Sequence, residues 1–230
     1  MGMTGLEVRD VHVKLAGFVI LRGVNLSVPS GCIVGLVGRN GAGKTTTLKS
    51  IVGLVPVIGG EVRLDGQDLM RLAPHRRPLL GIGYLPEDRR LIGSLTVEEN
   101  LLLPVWAAGQ TDGKGRLGVV YDLMPEVKQL AARRATALSG GQQKMVALAR
   151  AVVAGTRLLL LDEPFEGLAP LLSRHLAEVI RRLPGVTVLV TESDSNRMRL
   201  VTEHVYTIER GEIVGDPNGA GRDSPGVRGH

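Results

Sequence analysis

The sequence predicts an α/β fold in which strands and helices alternate and a helical segment is inserted into the core. Three observations support this prediction. A glycine-rich loop lies between an apolar strand pattern at residues 32–37 and a helical pattern at residues 45–52. A second apolar run, residues 158–161, ends in two acidic residues, and the pattern from about residue 96 to 154 is helical. Apolar strands that alternate with helices are typical of α/β folds with a parallel sheet.

The N-terminal part of the chain predicts several short strands. Apolar residues mark these candidate strands, which are residues 6–8, 11–15, 24–28 and 32–37. The Pro-Ser-Gly segment at residues 29–31 predicts the turn that leads into the last of them. Residues 62–64 predict a further strand, and the Asp-Gly pair that follows predicts a tight turn.

The remaining part of the chain continues the alternation. Residues 81–85 predict a strand that ends at Pro86. The helical pattern that follows contains a glycine-rich stretch, residues 109–118, which predicts a surface loop. An amphipathic segment at residues 171–183 leads to a strand at residues 186–190. From residue 216 onward hydrophobic periodicity disappears, and we predict a disordered tail at residues 216–230.

The composition indicates a soluble globular protein and excludes several classes of function. The 230 residues carry a formal net charge of +5, but the arginines are dispersed and aromatic residues are few, so no nucleic-acid partner is expected. The single cysteine excludes an internal disulfide and indicates a cytosolic context, and we expect Cys32 to be a small buried hydrophobe. No signal peptide or membrane-spanning run is evident, and the five histidines lack metal-ligand spacing.

The glycine-rich loop fits the phosphate-binding pattern GxxxxGK[ST]. It consists of Gly38, Arg39, Asn40, Gly41, Ala42, Gly43, Lys44, Thr45 and Thr46. Glycines allow the backbone to curl with its N–H groups inward, so that these groups and the helix N-terminus surround a polyphosphate. Lys44 would bind the β- and γ-phosphates of ATP, and the Thr45 hydroxyl would ligate Mg²⁺. The alternative, a glycine-rich turn that binds nothing, does not explain the flanking strand and helix.

The acidic strand end supplies the second group of candidate residues. Asp162 and Glu163 follow the apolar run and would lie at the carboxyl edge of a parallel sheet, where ligands bind in such folds. Asp162 would hold Mg²⁺, and Glu163 would polarise a water that attacks the γ-phosphate. An apolar strand that ends in Asp-Glu is often only a solvated strand end, and the phosphate-binding loop is what favours the functional interpretation.

A third group consists of Ser139, Gly140, Gly141 and Gln142, directly before a helical pattern. A serine and two glycines at a helix N-terminus both cap the helix and offer N–H groups to an anion. With the preceding leucine, and between the phosphate-binding loop and the acidic strand, this segment resembles the signature of ATP-binding-cassette (ABC) ATPases. The resemblance implies that two subunits pair head to tail, and that this segment closes on the ATP held by the partner.

Several positions depart from the pattern of that family. Glu87 stands where most ABC ATPases have a glutamine that contacts Mg²⁺ and the attacking water, and Ser193 stands at the switch histidine that reaches the γ-phosphate. Leu15 stands where an aromatic residue normally stacks on adenine, and we expect the nearby Phe18 to be a core residue. Residues 166–170 match the loop that contacts the dimer partner.

Three segments are similar to a subgroup of the family. Glu87 with its neighbours, residues 95–101 and residues 167–170 resemble the ATP-binding subunits of branched-chain amino-acid importers, most of all the second member of their unequal pair. The resemblance implies a P-loop NTPase fold with a RecA-like core, an N-terminal antiparallel β portion and a helical subdomain at about residues 88–150, within one nucleotide-binding domain at residues 1–215. Urea and short-chain amide importers share much of this pattern.

The resemblance also implies partners and a location. We expect a heterodimer with a second ABC ATPase subunit, two membrane permease subunits, and indirect contact with a solute-binding protein, at the cytoplasmic face of the cell membrane. The apolar segment at residues 101–106 would offer a groove to a helix of the membrane subunit or would belong to the core. A regulatory subunit with little turnover stays open as an alternative, because Leu15 and Ser193 weaken the usual site.

Overall fold

The computed structural model describes residues 5–216 of the chain. The strands are β1 (Leu6–Leu15), β2 (Phe18–Val28), β3 (Ile33–Val37), β4 (Val57–Leu64), β5 (Gln67–Asp68), β6 (Ile82–Leu85), β7 (Leu158–Asp162), β8 (Thr187–Glu192), β9 (Val205–Glu209) and β10 (Glu212–Gly215). The helices are α1 (Lys44–Val52), α2 (Val97–Ala107), α3 (Gly113–Leu123), α4 (Pro125–Gln129), α5 (Gly140–Ala154), α6 (Pro170–Arg181) and α7 (Ser195–Met198). None of the helices within residues 5–216 has the length and apolar content of a bilayer span.

Two sheets form the core, and their topology matches the predicted α/β fold with an antiparallel N-terminal portion. The larger sheet has the strand order β10-β9-β3-β8-β7-β6, in which β9, β3, β8, β7 and β6 run parallel. The smaller sheet has the order β2-β1-β4-β5 and is antiparallel. Because β8 lies between β3 and β7, the loop after β3 and the acids after β7 emerge at the same edge of the sheet.

The central strands are apolar on both faces because each face meets a separate hydrophobic core. Every residue of β7 and β8 is buried. Leu159 and Leu161 belong to the cluster that includes the buried residues of α2, α5 and α6, whereas Leu158 and Leu160 belong to the cluster formed with α1 and the antiparallel sheet. Side chains alternate between the two faces of a strand, so four consecutive leucines serve both cores.

Helices α2 to α5 lie between β6 and β7 in the chain, and one of them corrects a sequence prediction. The glycine-rich stretch at residues 109–118 was expected to be a surface loop, but α3 begins at Gly113. Leu117 and Val120 on this helix are buried in the same core as α2 and α5. The burial of these side chains offsets the low helix propensity of Gly115 and Gly118, which a local pattern does not reveal.

Three further predictions differ from the structure. The candidate strands at residues 6–8 and 11–15 are one strand, β1, with an irregularity near Asp10, whose φ is 49°. Cys32 is exposed rather than buried, because it still belongs to the turn, where its N–H donates to the Pro29 carbonyl. Phe18 is 73% exposed rather than part of the core, because it begins β2 at the tip of a hairpin. The predicted disordered tail lies, apart from Asp216, outside the described residues.

Candidate functional site

The phosphate-binding loop connects β3 to α1, and its glycines are required by the backbone. Gly41 and Gly43 have φ values of 81° and 114°, which side chains other than glycine rarely adopt. A Cβ at Gly38 would collide with the backbone carbonyl of Ile208. The sequence therefore places glycine where the chain must turn sharply, and helix α1 begins at Lys44 with its N-terminus toward this loop.

Lys44 lies at the centre of the loop. Its side chain is 5% exposed, and its Nζ donates to the carbonyls of Gly38 at 2.7 Å and Arg39 at 3.2 Å. The same Nζ forms an ion pair with Glu163 Oε1 at 3.0 Å. The loop, the lysine and the predicted base are thus in direct contact, although Lys44 and Glu163 are far apart in the sequence.

Asp162 is fully buried at the end of β7 and is anchored by three hydroxyl groups. Its Oδ1 accepts hydrogen bonds from Thr45 at 3.0 Å and Thr191 at 2.8 Å, and its Oδ2 accepts one from Tyr84 at 3.4 Å. Burial raises the pKa of Asp162, and the hydrogen bonds from the threonines oppose that rise. The adjacent hydroxyl and carboxylate oxygens of Thr45 and Asp162 are hard donors of the kind that Mg²⁺ takes together with substrate phosphates.

Glu163 follows Asp162 and adopts an uncommon backbone conformation, with φ of 45°. The side chain is held on both oxygens, because Oε2 accepts a hydrogen bond from Ser193 at 3.0 Å while Oε1 contacts Lys44. The Glu163 N–H donates to the carbonyl of Thr191 at 3.1 Å, and its carbonyl accepts from Lys144 Nζ at 2.7 Å. Ser193, which the family resemblance placed near the γ-phosphate, is thus a direct partner of Glu163.

Glu87 shares a cavity of about 430 Å³ with the loop and Glu163. The cavity is lined by Ile20, Asn40, Gly41, Gly43, Lys44, Thr45, Thr46, Glu87, Glu163 and Glu166. The pKa of Glu87 is raised by burial and by the negative charges of Glu166, Asp162 and Glu163. A cation in this cavity would relieve the repulsion among these carboxylates.

The signature-like segment forms the start of α5 and does not line that cavity. Ser139 Oγ accepts from the Gln142 N–H at 3.3 Å, and Gln142 Oε1 accepts from the Ser139 N–H at 3.0 Å, which is a capping box. Gly140 and Gly141 form the first turn of the helix. The phosphate-binding loop, Glu87 and Glu163 therefore share one cavity, and hydrogen bonds join Asp162 to Thr45 and Ser193 to Glu163. Residues 139–142 do not line that cavity.

Three buried polar residues beside the site were not singled out by the sequence analysis. Lys144 is 1% exposed, and Thr191 and Glu192 are fully buried. Thr191 and Glu192 end β8 next to the acidic strand. A polar Thr-Glu pair at the end of an apolar strand is a pattern from which Thr191 and Glu192 could have been predicted as site residues. Lys144 has no such pattern, because it looks like an ordinary helix residue.

Comparisons with known proteins agree with this geometry. The family model described as ABC transporter matches residues 21–166. The chain is 37% identical over 202 residues to the high-affinity branched-chain amino acid transport ATP-binding protein BraG of Pseudomonas aeruginosa. The aligned region covers 87% of this chain and 87% of BraG. It is 36% identical to the probable branched-chain amino acid transport ATP-binding protein LivF of Archaeoglobus fulgidus, over 85% of this chain and 84% of the relative. It is 34% identical to the lipopolysaccharide export system ATP-binding protein LptB of Escherichia coli, over 92% of this chain and 90% of the relative.

Solved structures give the same assignment. An ATP-binding subunit of an ABC transporter superposes with a TM-score of 0.82 at 27% identity, over 92% of this chain and 89% of the other. The dimeric cassette MJ0796, in a post-hydrolysis state bound to ADP and Pi, superposes with a TM-score of 0.81 at 26% identity. The superposition covers 92% of this chain and 97% of the other. With a family match over more than half of its length and close agreement in fold, the chain belongs to the ABC transporter family and is an ATPase of that family.

Proposed function

We propose that this chain is the ATP-hydrolysing subunit of an importer for branched-chain amino acids, with Glu163 as the general base. The observation that best supports ATP hydrolysis with this base is the arrangement around Glu163, whose carboxylate is held between Lys44 and Ser193. A carboxylate fixed next to the phosphate-binding lysine is in reach of a water that attacks the terminal phosphate. Loop N–H groups and Lys44 would bind the phosphates of ATP.

Thr45 and Asp162 would hold Mg²⁺, and Glu87, which lines the same cavity as Thr45, would contribute a further oxygen. The bound ion would supply positive charge that neutralises the phosphate oxygens. Lys44 would exchange its contact with Glu163 for contacts with ATP, because a polyphosphate carries more negative charge than one carboxylate. That exchange would release Glu163 Oε1 to accept a proton from water.

The chemical proposal is tested by Glu163→Gln in the complex that contains the partner subunits. The amide keeps the shape and the hydrogen bond to Ser193 but cannot accept a proton, so we expect kcat to fall by about 10²-fold or more with ATP binding retained. Lys44→Ala should instead weaken ATP binding. Parent-like turnover in Glu163→Gln would exclude Glu163 as the base, and a parent complex without measurable turnover would favour the regulatory alternative.

The solute is proposed from the relatives, because it would not contact this subunit. The relatives BraG and LivF carry branched-chain amino acid transport in their names. The segments around Glu87, at residues 95–101 and at residues 167–170 resemble that subgroup. The name of LptB, at nearly the same identity, points instead to lipopolysaccharide export. A urea or short-chain amide importer is the remaining alternative within the family.

The proposed partners are a second ABC ATPase subunit, two membrane permease subunits and, indirectly, a solute-binding protein. The chain would then lie at the cytoplasmic face of the cell membrane. A cavity of about 640 Å³ supports a docking site for a permease helix, because Leu54, Leu103, Pro104 and Ala107 form an apolar wall and Glu87 lines the same cavity. Within residues 101–106 only part of the segment is exposed, since Leu101 and Val105 are buried while Trp106 is 53% exposed.

A further inference from the structure

Lys144 is a buried cation for which the proposed mechanism has no role yet. The residue lies in the second turn of α5, the helix that Ser139 caps, and its side chain is 1% exposed. A buried ammonium group is costly unless it is paired or hydrogen-bonded, so its position in an otherwise apolar part of the helix requires an explanation. Its Nζ donates to the carbonyl of Glu163 at 2.7 Å.

The carbonyl that Lys144 holds belongs to the residue with the least favourable backbone in the site. Glu163 has φ of 45°, a conformation that a residue with a side chain adopts only when its surroundings impose it. The N–H side of this residue is held by the Thr191 carbonyl on β8, at 3.1 Å. The carbonyl side is held by Lys144 on α5. The two contacts fix the peptide groups on both sides of the Glu163 Cα, and therefore the direction of its side chain.

Burial lowers the pKa of Lys144, and nearby carboxyl groups oppose that change. Burial and the positive charge of Arg89 lower the pKa of Lys144, while Glu192, Glu166 and Asp162 raise it. The negative charges of Glu166 and Asp162 and the hydrogen bond to the Glu163 carbonyl both favour an ammonium donor over a neutral amine at this place. A merely structural side chain at this place would need neither the charge nor the hydrogen-bond donor.

We propose that Lys144 is a positioning residue for ATP hydrolysis, which sets the backbone conformation that aims the Glu163 carboxylate at the phosphate-binding loop. The proposal rests on the proposed role of Glu163 as the base. Lys144 does not act on ATP itself. Because it belongs to α5, it also ties Glu163 to the helix whose N-terminus carries Ser139, so that the base of one site is linked to the segment proposed to close on the partner's nucleotide.

The test compares Lys144→Met and Lys144→Arg with the parent in the complex purified with its partner subunits. Methionine keeps an unbranched chain of similar length but removes the donor and the charge, so kcat should fall by about tenfold or more while the dissociation constant for ATP changes by less than about threefold. Lys144→Arg keeps a charged donor and should recover most of the lost kcat. Where Lys144→Met fails to assemble, Lys144→Gln removes the charge and places its amide donor one bond short of the Glu163 carbonyl, so it should give the same separation of kcat from ATP affinity.

Arg116→Met is the matched control. Arg116 is also a cation that donates to a backbone carbonyl of α5, that of Val153 at 3.0 Å, but at the far end of the helix from the site. Its replacement should leave kcat within about twofold of the parent, because no group near Glu163 is disturbed. An equal loss of kcat in Arg116→Met would show that any weakening of α5 lowers turnover, and would overturn the proposal for Lys144.

Further outcomes separate this proposal from that for Glu163. Parent-like turnover in Lys144→Met, or equal defects in Lys144→Met and Lys144→Arg, would overturn the positioning role. In a Glu163→Gln background, Lys144→Met should lower the residual kcat by less than about twofold, because residues that act as a unit are not additive. A full additional loss there would contradict action through Glu163. Parent-like turnover in Glu163→Gln alone would instead reject the base itself, whatever the Lys144 variants do.

Discussion

Glu192 is a fully buried carboxyl group that lies beside the proposed base. Its Oε1 accepts the Phe165 N–H at 3.0 Å, and its Oε2 has no hydrogen-bond partner within residues 5–216. Burial, together with the negative charge of Glu163, raises the pKa of Glu192 from its ordinary value near 4.5 to about 7, against the opposing effects of the Phe165 N–H, Arg197 and Lys144. The protonated form therefore persists to near-neutral pH in the folded protein.

This pKa predicts a pH dependence of stability. A carboxyl group whose folded pKa is raised contributes stability that is complete below its unfolded pKa and is lost as the pH rises through 7. Glu192→Gln keeps an oxygen for Phe165 and cannot ionise, so its free energy of unfolding relative to the parent should increase by about 2 kcal/mol between pH 5 and pH 8. Urea unfolding at both pH values checks this. An identical pH dependence in variant and parent would show that Glu192 does not titrate in this range.

The exposed ring of Phe18 predicts where the adenine base binds. Phe18 pairs with Leu15 across the β1–β2 hairpin and lies two residues before Ile20, which lines the cavity beside the phosphate-binding loop. Stacking of a base on an aromatic ring is worth about 1–3 kcal/mol, so Phe18→Ala should weaken ATP binding by roughly five- to a hundredfold. Isothermal calorimetry measures this change.

Val19→Ala, on the opposite face of β2, is the control and should change the affinity for ATP by less than about twofold. A large gain from Leu15→Tyr with no loss in Phe18→Ala would contradict the assignment.

Two helices of the inserted segment begin with the same kind of cap. Thr96 and Glu99 form a capping box at the start of α2, as Ser139 and Gln142 do at the start of α5. Ser139→Ala and Thr96→Ala should therefore each lower the free energy of unfolding by about 1 kcal/mol. Only Ser139→Ala should also lower ATP turnover of the dimer, because its segment is proposed to close on the partner's ATP. Equal turnover in the two variants would assign Ser139 a purely structural role.

At the level of elements, the sequence predicts best where local pattern and tertiary contacts agree. The strand, loop and helix around Lys44 and the strand that ends at Asp162 have strong local signals, and the structure contains both. Helix α3 was missed because its glycines disfavour a helix locally. The helix is stabilised by the packing of Leu117 and Val120 against residues that are distant in the chain. Lys144 was missed because its proposed role depends on the carbonyl of Glu163, which lies outside α5 and follows the strand β7.

Residues 5–216 bring together only part of the ATP site that the family resemblance implies. The strand order brings the phosphate-binding loop, Asp162 and Glu163 to one edge of the sheet, but residues 139–142 do not line the cavity there. Head-to-tail pairing, as the family resemblance implies, would supply the missing segment from a second subunit. A partner with a stronger site would compensate for Ser193, where the resemblance implies a histidine, and we propose an unequal pair as the working unit.

The central claim, that this chain supplies ATP hydrolysis to an importer of branched-chain amino acids, is tested most directly by its native assembly. The tagged chain would be purified from membranes of the cells that produce it, and the accompanying proteins and their bound solute would be identified by mass spectrometry. We expect a second ABC ATPase, two multi-span membrane proteins and a binding protein that prefers leucine over urea or short-chain amides. A binding protein with the opposite preference would contradict the solute. Co-purification with lipopolysaccharide export components, or with DNA-repair or ribosomal proteins alone, would contradict the importer itself.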